Sequence, residues 1–178
     1  FKFGIGLLNF MVEGNNSEDN KKANEEQITK TLSSIQWDAK AGDTLLVPSG
    51  PSGNHLFVVL FDPQVPIDTS FGKKLHLAQV NFTSVRPGMI HDTSCIIESG
   101  EHEFISHQSY VNYRGLRYEE YEPIKRGVEN GRLSLHTPVE YGLLCRIREG
   151  ALISGKTPPY VKYEIQKLLD SADISKSA

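Results

Sequence analysis

The sequence predicts an α+β protein, a small antiparallel β-barrel between an N-terminal extension and a C-terminal helical region. Two observations carry this. Between Gly42 and Arg117 short apolar runs alternate with clusters of Gly, Pro, Ser and Asn, the pattern of several short strands joined by turns. After Tyr118 the apolar residues fall at helical spacing instead. The divisions expected are residues 1–41 for the extension, 42–117 for the barrel and 118–178 for the helical region.

The elements follow in order. Phe1 to Phe10 is apolar but about half the length a membrane-spanning helix needs, and it reads as a strand or strap over the core. It lacks the small-residue cleavage pattern of a signal peptide, and because the chain opens on Phe rather than Met, the natural N-terminus can lie upstream. Glu13 to Lys22 is too polar to fold alone and reads as a linker. Ile28, Leu32 and Ile35 place a short amphipathic helix over Glu25 to Ile35, which Trp37 is expected to pack against the barrel. Gly42 to Pro48 is a buried-strand pattern stopped by proline, and Ser49 to Asn54 is a turn cluster. Further strands are expected over His55 to Phe61, over Leu75 to Val85, in a run ending at Gly100, and over Glu103 to Tyr113.

Beyond the barrel, a helix is expected over Tyr118 to Asn130 with Gly131 as its stop. Pro138 suits the first turn of a second helix reaching Gly150. Pro158-Pro159 opens a third, with Val161, Ile165, Leu168 and Leu169 on one face, and Asp170 to Ala178 reads as a frayed polar tail.

Composition narrows the function. With 178 residues, 38% hydrophobic and 23% charged, the chain can bury the core of one globular domain. A net charge of -3 argues against bulk polyanion binding but leaves room for a local basic patch. The two cysteines, Cys95 and Cys145, are too few for a disulfide framework and fit a reducing cytoplasm. No Walker loop, dinucleotide fingerprint or zinc-finger spacing occurs. His91, Cys95, His102 and His107 are close in sequence, but an extended chain would spread them over alternate faces, so neither metal nor cofactor is expected.

The residues that suggest chemistry are His55, Thr83, Ser84 and Ser106-His107-Gln108, each at the edge of an apolar run. Two imidazoles can divide general base and general acid work near neutral pH. Thr83 and Ser84 hydroxyls can hold a phosphate or a developing negative charge. The set would suffice for metal-free phosphodiester cleavage by RNA's own 2′-hydroxyl. Equally, hydroxyls and imidazoles at strand ends often cap backbone groups. Arg86, Arg114, Arg117, Lys125 and Arg126 could supply phosphate contacts, and Tyr110, Tyr113 and Tyr118 could stack bases. Glu119, Glu120 and Glu122 dilute that basic character.

Gly42-Asp43 before an apolar strand, then the Gly/Pro/Ser loop and His55-Leu-Phe-Val-Val-Leu, resembles the opening of MazF/PemK-like toxins. Val80-Asn81-Phe82-Thr83-Ser84 resembles that family's Pro-Val/Ile-Thr-Ser strand, and Ser106 to Val111 its later Asp-Gln strand. The resemblance covers about Gly42 to Arg117. It implies an SH3-like barrel, usually a homodimer, that cleaves single-stranded RNA without metal and is held in check by an antitoxin-like peptide in the cytoplasm. It carries His55, Thr83 and His107 into catalytic roles, with Ser84 and Gln108 toward substrate, where Arg86, Tyr110 and Arg114 join them by their own chemistry. Two departures stand out. His55 occupies the place of the family's functional arginine, and His107 that of its Asp before Gln. Histidine is a poorer permanent cation, so the alternative is a barrel without catalysis that serves as a binding or regulatory module.

Overall fold

The computed structural model describes residues 36–48 and 53–176. The expected strap, linker and first helix, and most of the Ser49 to Asn54 turn, lie outside them. Six strands, β1 (Thr44–Pro48), β2 (Asn54–Val59), β3 (His76–Ser84), β4 (Ile96–Ile97), β5 (Ser109–Glu120) and β6 (Ser134–His136), form one antiparallel sheet. Its order is β4-β5-β3-β2-β1-β6, curled into a half-barrel. Among the described residues three α-helices follow: α1 (Tyr121–Glu129), α2 (Tyr141–Ile153) and α3 (Pro159–Lys176).

Alternation along the strands divides the core in two. Leu56 and Val58 of β2, Val80 and Phe82 of β3, and Val111 and Tyr113 of β5 pack with Leu144 and Ile147 of α2 and with Val161 and Ile165 of α3. On the other face, Leu45, Phe57, Val59 and Leu77 pack with Trp37 and with Tyr121, Ile124 and Val128 of α1. Trp37 is buried as expected; its ring lies 5.7 Å from that of Tyr121 and its indole N–H donates to Asp43 Oδ2 at 3.0 Å. Gly42 lies at φ 95, a conformation favouring glycine, and there its N–H meets Val59 O at 2.8 Å while its carbonyl accepts Val139 N–H at 2.9 Å.

Five expectations need correction. The run from Glu103 to Tyr113 is not one strand: β5 begins at Ser109. The imidazole of His102 folds residues 102–105 into a turn instead. Its Nε2–H donates to Thr137 O at 2.7 Å, and its Nδ1 accepts Phe104 N–H at 3.1 Å. β5 then continues to Glu120, because residues 118–120 pair with His76 to Ala78, so α1 opens at Tyr121 rather than Tyr118. The segment 118–178 is not purely helical, since β6 within it extends the sheet against β1. Pro138 precedes α2 rather than entering it, and α3 runs through the expected polar tail to Lys176.

Where β5 crosses β3 the register slips. Gln79 faces Arg117 but Asn81 faces Asn112, so Tyr113, Arg114, Gly115 and Leu116 bulge opposite Val80. This bulge, beside the end of β3, sets up the site.

Candidate functional site

A groove lies along the end of β3, the start of β5 and the loop that joins β3 to β4. Residues Arg86-Pro87-Gly88-Met89 make a tight turn, with Gly88 at φ 75 and Met89 N–H donating to Arg86 O at 3.2 Å. The loop then returns over the sheet, where the His91 ring lies 5.3 Å from that of Tyr110, tilted by 33°. His91 Nδ1 sits 3.2 Å from Met89 O. A carbonyl only accepts, so Nδ1–H is the donor in this contact.

Asp92 ties this loop to the helices. Its Oδ1 accepts Ser94 N–H at 3.0 Å, and its other oxygen accepts the hydroxyl of Ser154 just past α2. Burial works to raise its carboxyl, but the hydrogen bonds from Ser154 and Ser94, together with the nearby Lys156 charge, hold it below the ordinary carboxylate range. The bond to Ser154 brings the loop between α2 and α3, with Lys156, to the wall of the groove.

Two cavities meet here and share Ile90, His91 and Tyr110. The larger, about 470 Å³, is also lined by Asn112 and Arg114 of the β5 bulge and by Lys156. The smaller, about 200 Å³, is closed by Thr83, Ser84, Arg86 and Met89. Thr83 faces Tyr110 across the β3–β5 ladder, and Asn112 Nδ2–H donates to Asn81 Oδ1 at 3.3 Å on the same face. Arg86 and Arg114 are exposed, and among the described residues neither makes an ion pair. Positive charge therefore stands at both ends of an aromatic pair.

The structure brings together Thr83, Ser84, Arg86, Tyr110 and Arg114 of the sequence-derived set. His107 joins at the rim, its Nε2 2.6 Å from Ser84 Oγ and its Nδ1 3.0 Å from Ser106 Oγ. Gln108 turns its side-chain amide to the Glu98 carboxylate, at 2.9 and 3.2 Å. His55 sits across from Val47 on β2 and lines neither cavity. His91 and Lys156 had not been assigned to the site from sequence. In sequence His91 stands out only as a candidate metal ligand, and nothing local marks Lys156. Among the described residues no three His, Cys, Asp or Glu side chains are grouped to hold a metal ion, and no helix is long and apolar enough to cross a membrane. Comparison with known proteins finds no matching family model, no similar curated protein and no similar solved structure.

Proposed function

We propose that the groove binds single-stranded RNA. The observation that carries this is the His91–Tyr110 stack flanked by Arg86, Arg114 and Lys156. His91 and Tyr110 are half-buried against each other, and aromatic rings at such an edge can take an unpaired base while cations along the same groove take phosphates. Asn112 adds a hydrogen-bonding group for a ribose hydroxyl, the feature that separates RNA from DNA. The curled sheet is compatible with the SH3-like barrel of MazF/PemK-like toxins, and a homodimer, an antitoxin-like peptide and a cytoplasmic setting belong to the same proposal.

The second reading is metal-independent cleavage by 2′-hydroxyl attack. The Nδ1–H contact of His91 with Met89 O favours it, because in the neutral ring Nε2 would then be the nitrogen able to take the 2′-hydroxyl proton. His107 beside Ser84 could return a proton to the leaving 5′-oxygen. In this version His91, not His55, partners His107.

Fluorescence anisotropy with labelled single-stranded RNA and DNA tests the binding. Three phosphate contacts on a single strand predict a log–log salt slope of about -2. Arg114→Ala should weaken binding and flatten that slope by about 0.7. Affinity that does not change with salt, or a preference for DNA, would defeat the reading. Cleavage is judged separately by incubation with EDTA: RNA cut and DNA spared supports it, with His91→Ala slower by roughly a hundredfold. Intact RNA under conditions of saturated binding leaves the binding module alone.

A further inference from the structure

We infer that the smaller cavity of the groove is a pocket for one unstacked nucleobase, with the neighbouring phosphodiester held in the larger cavity on Arg114 and Lys156. This rests on the RNA-binding reading and adds a division of labour within the groove. A base needs a flat apolar slot with a few polar groups at its edge. The smaller cavity, about 200 Å³, is lined by the apolar and aromatic Met89, Ile90, His91 and Tyr110 and by the polar Thr83, Ser84 and Arg86. The larger cavity offers Arg114, Lys156 and Asn112, suited to phosphate and ribose rather than to a base face.

Two further observations point the same way. Ile90 is fully exposed and Met89 is 61% exposed, although both are large and apolar and line the slot. The Pro87-Gly88 turn fixes the backbone that holds them out, and a base between them and Tyr110 would cover apolar surface otherwise left to water. The Ser84 hydroxyl is also held in place, since His107 contacts it at 2.6 Å and Ser106 in turn contacts His107 at 3.0 Å. A fixed hydroxyl on a residue that lines the slot can favour one base edge over another.

The test needs no variant that might fail to fold. Binding is measured for a short abasic ribose-phosphate strand, for the same strand with one base restored, and for one with two. The first base should raise affinity on the order of 10- to 100-fold, the range for one base on an aromatic platform. A second base should add little. Thr83→Val, which keeps shape and removes the hydroxyl, should change the ranking of the four bases. Equal gains from each added base would overturn the single pocket, as would an abasic strand that binds as tightly as a base-bearing one; both leave RNA binding intact. If no strand binds, base-bearing or abasic, the RNA reading falls and this inference with it.

Discussion

Asp92 holds the groove's roof to its wall, and its charge should be visible in acid. A carboxylate whose folded value lies below its ordinary 3.8 adds stability that is present above about pH 4 and lost as pH falls through the folded value. Asp92→Asn should therefore melt below the natural protein at pH 7, and the gap should close as pH is lowered toward 3. Thermal melts of both proteins across that range check this; a gap that is constant with pH would show that the charge contributes nothing. Residues of this kind are only half legible in sequence. Thr83, Ser84, Arg86 and Tyr110 could be read because strand ends and aromatics beside arginine are local signals. His91 and Lys156 could not. The former gains its place by stacking on β5, and the latter sits in a loop brought over by the bond between Asp92 and Ser154. His55 had the right chemistry at a strand end, but neither cavity extends to it.

At the scale of elements, α2 and β5 meet at one contact that tolerates no extra atom. The Tyr113 hydroxyl, fully buried, donates to Ile147 O at 2.8 Å, and burial raises its pKa well above the ordinary range. A methyl group at Gly150 would run into that phenol and would lie 2.9 Å from Cys95 Cβ. Gly150→Ala gains about 1 kcal/mol in helix propensity, yet overpacking of this kind costs about 1–3 kcal/mol. Steric crowding against a pinned ring should win, lowering the melting temperature by several degrees, on the order of 5 °C at this size. An unchanged or raised melting temperature would mean that α2 slides freely over the sheet. Long periodic elements were legible: β2, β3, α2 and α3 lie close to where their apolar spacing put them. The misses have a common cause. The turn at His102, the persistence of β5 to Glu120 and the whole of β6 depend on partners far away in the chain, namely Thr137, His76 and Leu45.

For the whole molecule, the fold class was legible because alternation gives way to helical spacing once, near Tyr118. The closing strand was not, because Ser134-Leu135-His136 is short and half polar. That strand bears on how the protein is made. Leu45 pairs with Leu135, and Thr44 Oγ–H donates to Thr137 O at 2.8 Å, so β1 keeps a bare edge until residues far downstream have left the ribosome. The packing of Tyr113 waits in the same way for Ile147. Nascent chains that end before Ser134 should expose that edge and the apolar face beneath it, the features on which aggregation and chaperone capture act. Arrested chains ending at residue 130 should be cut readily by protease, and chains whose residue 176 has cleared the ribosome tunnel should resist. Equal resistance at both lengths would mean that the sheet is complete without β6. Translation speed over the codons for β6, α2 and α3 thus becomes a determinant of yield.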